Sequence, residues 1–254
     1  MPSSHQIKQA VLITGATSGI GLACAEYYTA KGFNVIACGR NQSVLNSLNV
    51  SHTLGFDITN AQQVKQAAAE LQQYLASEQL TLQQVILNAG TCEYVDDVMH
   101  FDASLFSRVI ETNLVAVGYC IESFLPLITA KGQLGLMSSS AIYLPFSRAQ
   151  AYGASKAAID YLGRSLRLDL TLNPATKIGV SVICPGFVAT PLTDKNDFDM
   201  PMRISSEQAA VEIFNGMAKK QFEIHFPKKF TRLLKFLSWL PENLQLKILA
   251  KISH

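Results

Sequence analysis

Ala10-Val11-Leu12-Ile13-Thr14-Gly15-Ala16-Thr17-Ser18-Gly19-Ile20-Gly21 sets the architecture of the chain. Its first five residues are a short apolar run suited to a strand buried on both faces. Residues 22–31 carry a helical pattern that Gly32 closes, and Phe33-Asn34-Val35-Ile36-Ala37-Cys38 reads as a second strand. Strand, glycine turn, helix and strand within about 30 residues make a βαβ unit. In that setting the glycines allow a tight turn and let main chain approach a pyrophosphate at the helix N-terminus, where N–H groups and the helix dipole favour anions.

The alternation continues outward from this unit. Strands are predicted at 52–57, 84–88, 133–138, 178–184 and 222–226. Helices are predicted from an Asn60 cap to 77, over 104–130, over 152–172 and from a Ser205 cap through 219. Repeated strand-then-helix order predicts an α/β fold: one doubly wound, Rossmann-type, mostly parallel sheet with helices on both faces. The expected division is a domain over 1–226 that carries both dinucleotide and catalytic sites, and a basic amphipathic helical extension over 227–254. Ligands in such sheets bind at the carboxyl ends of the strands, so the turns after Thr14, Cys38, Phe56, Leu87, Met137 and Cys184 should share one rim.

The 254 residues suffice for one large core. A net charge of +2 gives no electrostatic footprint for nucleic acid. Five scattered cysteines (Cys24, Cys38, Cys92, Cys120, Cys184) without a Cys-x-x-Cys pair predict reduced thiols and a cytoplasmic setting. The polar start shows no apolar leader segment, and no continuous apolar run is of spanning length. His100 and His225 lack metal-ligand spacing, so no metal site is expected.

Tyr152-Gly153-Ala154-Ser155-Lys156 opens a run with apolar residues at Ile159, Leu162, Leu166 and Leu170. Residues four apart share a helix face, so a phenol and an ammonium stand side by side. A nearby cation favours the phenolate, which would make Tyr152 a general acid or base. Alone, the pair reads first as a surface tyrosine and a solvated lysine; the surrounding elements change that.

Taken together, residues 8–226 resemble the short-chain dehydrogenase/reductase family. Thr14-Gly15-x-x-x-Gly19-x-Gly21, Asn88-Ala89-Gly90, Asn113 in Glu111-Thr112-Asn113-Leu114, Ser139 thirteen residues before Tyr152, Tyr152-x-x-x-Lys156 and Pro185-Gly186-Phe187-Val188-Ala189-Thr190 stand in the family's order. The resemblance implies hydride transfer between a nicotinamide and a carbonyl carbon, with Asn113, Ser139, Tyr152 and Lys156 as catalytic residues. Ser139 would hold the carbonyl oxygen and Tyr152 would donate the proton. Lys156 would lower the tyrosine pKa and bind the ribose, and Asn113 would place a relay water. Spacing favours Ser139 within the triplet Ser138-Ser139-Ser140, and its neighbours stay open. The implied dinucleotide contacts are Gly15, Thr17, Ser18, Gly19, Ile20, Gly21, Asp57, Ile58, Asn88, Ala89, Gly90, Tyr152, Lys156, Pro185, Gly186, Val188 and Thr190. Homodimer or homotetramer assembly through 104–130 and 152–172 is also implied.

Arg40 decides the cofactor. An NAD site usually ends its second strand with an acid on the ribose 2′-hydroxyl. Here that place is Gly39, and a guanidinium follows that can grip a 2′-phosphate, so NADP(H) is expected although the glycine turn carries no basic residue. Cys92, Tyr94, Ile142, Tyr143, Phe146, Phe187 and 192–202 are candidate pocket residues; their apolar character predicts a hydrophobic carbonyl or alcohol. The competing reading is a dinucleotide-binding sensor or scaffold without turnover.

From His225 onward there are six Lys and Arg against one acid. Phe230, Leu233, Leu234, Leu237 and Leu240 fall at helical spacing, with Phe236 and Trp239 broadening the face and Lys228, Arg232, Lys235 and Ser238 opposite. After Pro241, Leu244, Ile248, Leu249 and Ile252 indicate a second helix. So large an apolar face requires a partner: the protein's own substrate mouth, a neighbouring subunit or a membrane surface met peripherally.

Overall fold

Side chains along β1 (Lys8–Thr14) alternate between two cores because successive Cβ atoms point to opposite sheet faces. Leu12 enters one cluster, and Val11 and Ile13 enter the other. A computed structural model describes residues 8–252, with the side chain of Ile252 left out; the ends of the two expected segments, 1–7 and 253–254, lie outside the described residues. The remaining strands are β2 (Asn34–Gly39), β3 (His52–Gly55), β4 (Leu80–Leu87), β5 (Gln133–Met137), β6 (Gly179–Pro185) and β7 (Glu223–Phe226). They form one sheet in the order β3-β2-β1-β4-β5-β6-β7, and every pairing is parallel.

The helices are α1 (Gly19–Ala30), α2 (Gln42–Ser47), α3 (Ala61–Ser77), α4 (Ala103–Ile110), α5 (Ala116–Phe124), α6 (Gln150–Leu172), α7 (Ser206–Ala218), α8 (Lys228–Leu237) and α9 (Glu242–Ile252). Val64 and Leu71 of α3, Val117 and Phe124 of α5 and Ile159 of α6 cover one sheet face. Ala23 and Tyr28 of α1 and Ala210, Ile213 and Met217 of α7 cover the other. Both expected caps form. Asn60 Oδ1 accepts from Gln62 and Gln63 N–H, each at 3.1 Å, and Ser205 makes a reciprocal capping box with Gln208.

Three expectations are corrected. The helix over 104–130 is not continuous: it begins under an Asp102 cap, widens into a π-turn at Glu111–Val115, and ends in a 3₁₀ turn at Leu125–Leu127 that contains Pro126. Proline lacks the N–H needed to continue, which explains the end. Second, six-residue α2, capped by Asn41, is too short to show periodicity, and β4 starts at Leu80 rather than 84 because polar Gln83 and Gln84 mask its first half.

The third correction concerns the extension. Its apolar residues do not form one face. Phe230, Leu234 and Leu249 are buried against Leu144 with Tyr143, Phe146, Phe187 and Leu237, whereas Leu233, Phe236 and Trp239 are exposed on the outer side. Lys235 and Ser238 are not on an opposed solvent face either: both are half-buried, and Lys235 turns to Glu223 of β7, with Nζ 2.5 Å from Oε2.

Candidate active site

Strand order reverses between β1 and β4, so their carboxyl ends open a crevice at the centre of the sheet. Asn88 stitches that opening. Its side-chain N–H donates to the carbonyls of Thr14 (3.0 Å) and Gly15 (3.3 Å), while the main-chain N–H groups of Asn88 and Ala89 donate to Thr14 Oγ1 at 3.0 and 3.1 Å. The turn closes tightly behind it. Gly15 has φ +67°, and a Cβ on Gly21 would stand 2.1 Å from the Gly15 carbonyl oxygen, so only glycine fits there. Ser18 gives α1 no side-chain cap, leaving the first N–H groups of that helix facing the turn without one.

The resulting cleft is about 750 Å³, within the ~300–1,000 Å³ typical of ligand sites. It is lined by Gly15, Thr17, Ser18, Gly19 and Ile20 from the turn, Arg40, Asp57 and Ile58 from the β2 and β3 ends, and Asn88, Ala89 and Gly90 from the β4 end. Tyr152, Lys156, Pro185, Gly186, Val188 and Thr190 complete the wall. Of the expected dinucleotide contacts only Gly21 does not line it; its place behind the turn is structural. Thr91, Glu93, Arg108, Glu111, Asn41 and Thr193 also line the cleft. Thr193 belongs to the 192–202 segment expected at the pocket; the others escape sequence reading because loops bring Asn41, Thr91 and Glu93 there and α4 with the π-turn brings Arg108 and Glu111, although the Arg108–Glu93 ion pair (2.8 Å) joins residues only fifteen apart.

At the outer end of the cleft Arg40 is 78% exposed, with Nη1 3.7 Å from Asp57 Oδ2. Burial pushes the Asp57 carboxyl up, but hydrogen bonds from the Thr59 N–H and hydroxyl, with Arg40 beside it, outweigh that and hold it below the usual range. A Cβ on Gly39 would lie 2.7 Å from the Thr17 methyl. An acid at the strand end would therefore have to displace Thr17.

At the inner end, Ser139 caps the 3₁₀ turn Ser140–Ile142, its Oγ accepting from Ala141 N–H at 3.1 Å, and its hydroxyl lies near the Tyr152 side chain. Within the serine triplet, the Ser138 hydroxyl donates to the Lys156 carbonyl at 2.9 Å, whereas Ser139 Oγ accepts from Ala141 N–H. Lys156 Nζ is 5.7 Å from the Tyr152 ring centroid and donates to the Met137 carbonyl at 2.9 Å. Burial draws the ammonium down to about 8 and pushes the phenol up; the nearby Ser139 hydroxyl works the other way on Tyr152. The expected depression of the phenol by Lys156 is thus not met by these side chains alone, because burial is the larger effect on both.

Asn113 sits in the π-turn, buried, and all of its amide is engaged: Oδ1 accepts from Thr91 N–H (2.8 Å), and Nδ2 donates to the Thr91 carbonyl (2.8 Å) and Ser155 Oγ (3.0 Å). Gly90 leaves room between Asn113 and Lys156, since a Cβ there would stand 3.0 Å from Asn113 Oδ1 and 3.4 Å from Lys156 Nζ. The glycine floor, the open helix N-terminus and a cation at each end, Arg40 at the outer and Lys156 at the inner, fit a nicotinamide dinucleotide.

Beyond Ser139, Tyr152 and Lys156, aromatic rings join four separate segments. Tyr94 meets Phe198 edge-on (5.8 Å between centroids), Phe198 meets Phe187 (6.1 Å), and Phe187 meets Phe230 of α8 (5.3 Å). Tyr94 donates to Asn196 Oδ1 at 3.0 Å, and Arg148 ties Asp96 (2.6 Å) to Asp197 (2.9 Å). The 192–202 segment is thus clamped to the loop after β4. The Tyr143 hydroxyl, three residues past the Ser139 turn's start, donates to Glu223 Oε1 at 2.5 Å, and Glu223 also holds Lys235. Burial raises the Cys92 thiol and pushes Cys184 up to about 12, so both stay protonated at neutral pH. Among the described residues no group of three or more His, Cys, Asp or Glu is placed to hold a metal ion, and no helix is long and apolar enough to cross a membrane.

The sequence profile of the short chain dehydrogenase family matches residues 9–200. An uncharacterised oxidoreductase of Myxococcus xanthus is 29% identical over 239 residues, covering 89% of this chain and 91% of its own. A 3β-hydroxysteroid dehydrogenase of Mediterraneibacter gnavus is 31% identical over 205 residues, 77% of this chain and 71% of its own. A Burkholderia phymatum short-chain dehydrogenase/reductase, solved in complex with NAD, shares the fold at a TM-score of 0.81 and 19% identity, covering 95% of each chain. The profile runs from the first strand past the Pro185–Gly186 turn, and on that ground the chain belongs to the short-chain dehydrogenase/reductase family, oxidoreductases that work with a nicotinamide dinucleotide.

Proposed function

We propose that the protein interconverts a hydrophobic ketone or aldehyde and its alcohol with NADP(H). The observation that carries this reading is the placement of Tyr152 and Lys156 together on the cleft wall, Nζ 5.7 Å from the ring centroid, with an aromatic cluster beyond them. When bound, the nicotinamide supplies or takes the hydride. Ser139 holds the carbonyl oxygen against Tyr152, and Tyr152 gives up its phenolic proton to that oxygen as the alcohol forms, or takes it back in oxidation. Lys156 binds the nicotinamide ribose, and its charge offsets the burial that keeps the phenol protonated. Asn113, whose amide is spent on Thr91 and Ser155, holds a relay water through its main chain. The turn residues, Asp57, Ile58 and the Pro185–Thr190 segment seat the rest of the dinucleotide.

Arg40 and the space closed by Thr17 at Gly39 favour a 2′-phosphate over a bare ribose. The rings of Tyr94, Phe187, Phe198 and Phe230 favour a lipophilic substrate, and the 3β-hydroxysteroid dehydrogenase relative acts on an alcohol of that character. Exposed Val115, Tyr161, Leu168 and Leu172 on the π-turn and α6 support a homodimer or dimer of dimers through that face. Oxidation of NADPH and NADH against a panel of lipophilic ketones and aldehydes tests the reading. Turnover with NADPH at least about tenfold faster than with NADH is the expected result. Turnover with NADH alone would overturn the cofactor assignment, and none with any carbonyl would leave the sensor reading in its place.

A further inference from the structure

The extension presents two apolar stripes, and only the inner one is covered. Leu233, Phe236 and Trp239 are 48%, 61% and 85% exposed. Leu233 and Phe236 share the side of α8 turned away from Phe230 and Leu234, and Trp239 follows them in the turn after the helix. Lys228, Lys229 and Arg232 are exposed on that same side, and no ion pair engages them among the described residues. Lys235 differs: it is drawn inward to Glu223. Leu244 and Leu246 of α9 are also exposed, alongside Lys247 and Lys251.

We infer that this outer face of α8, with the turn that follows it, docks on an anionic lipid bilayer with the helix lying in the interface plane. A second copy of this chain would have to bury three unpaired cations against a surface of the same kind, which like charge opposes. An anionic lipid surface receives the cations at headgroup level and the Trp239, Phe236 and Leu233 side chains at the acyl boundary. Long basic side chains keep their charges in the polar layer while their stems lie against apolar neighbours. The inner stripe gives the docking a purpose. Phe230 touches Phe187 and a Cβ on Gly186 would meet Phe230 at 2.8 Å, so the docked helix is itself part of the wall beside the Pro185–Gly186 turn. A lipophilic substrate would pass from the bilayer to that wall without crossing bulk water. This last step rests on the proposed function; the docking does not.

Full-length protein is co-sedimented with phosphatidylcholine vesicles and with vesicles containing phosphatidylglycerol, beside two variants. One is Leu233→Ser/Phe236→Ser/Trp239→Ser, and the other is Lys228→Gln/Lys229→Gln/Arg232→Gln. Expected is binding to anionic vesicles at least about tenfold stronger than to neutral ones, lost in the serine variant and weakened about a hundredfold by removing three charges. Both variants should keep wild-type thermal stability and wild-type reduction of a water-soluble carbonyl, which separates failed docking from failed folding or a wrong reaction. Absence of binding to anionic vesicles, or binding that neither variant changes, would overturn the inference. So would an oligomer that dissociates in the serine variant without any vesicle binding by the wild type, since a second copy would then cover the face.

Discussion

The cofactor cleft and the substrate wall are built on opposite principles. The cleft is made of main chain. Its shape follows from the absence of side chains at Gly15, Gly21 and Gly90 and from bonds that tie the Thr14 and Asn88 side chains to each other's main chain. The wall is made of side chains from Tyr94, Phe187, Phe198 and Phe230, more than a hundred positions apart at the extremes, held by Arg148 and by the Tyr143–Glu223–Lys235 network. Spacing along the chain specifies the first kind of site. Long-range packing specifies the second, and it can change substrate without disturbing the cleft.

Substitutions sharpen this contrast. Lys156→Met touches both regions and should have the largest effect, lowering kcat/KM by about 10³-fold or more and weakening cofactor binding as well. It also has a pH signature. Burial holds the wild-type Lys156 at about 8, below its unfolded value, so the unfolded chain binds more protons between the two and wild-type stability rises as pH climbs through that window. Melting curves at pH 7 and 9.5 should show the wild type gaining on Lys156→Met; parallel curves would contradict the buried charge.

Arg40→Asp confines its effect to the cleft. Loss of a charge-assisted grip on the 2′-phosphate should change the kcat/KM ratio of NADPH to NADH by about 30-fold, with the KM for the carbonyl unchanged. An unchanged ratio would remove Arg40 from the site.

The sequence made the cleft legible because its glycines, Asn88 and Tyr152 with Lys156 each state a backbone requirement or a helix face within a few residues. Ser139 stands out by spacing, and the Ser138 hydroxyl, donating to the Lys156 carbonyl, supports that choice. The π-turn at Glu111–Val115 was not legible, since the Asn113 bonds to Thr91 that accompany it reach across a loop. Nor was the inward turn of Lys235: helical periodicity places it with Lys228 and Arg232, and only the pairing of β7 beside α8 reveals its partner Glu223.

That pairing gives the smallest effect, confined to the wall. Burial raises the Glu223 carboxyl, but hydrogen bonds from Lys235 and Tyr143 outweigh it and hold the value low. A depressed carboxyl contributes stability that is present above its unfolded pKa and lost as pH falls through its folded one. Lys235→Met should therefore lower Tm by about 2–4 °C at pH 7, for about 1 kcal/mol, and by less at pH 4. Its KM for the carbonyl should rise roughly fivefold while the KM for cofactor stays, and Lys235→Arg should restore it. Equal changes in both KM values would mean that wall and cleft are not separable.

The central claim is that Tyr152 moves the proton while other groups hold the cofactor, and Tyr152→Phe tests it directly. The variant keeps the ring and loses only the hydroxyl. Nicotinamide fluorescence should show NADPH binding within about twofold of wild type, while turnover falls by about 10³-fold. Retention of a tenth or more of wild-type turnover would contradict the account.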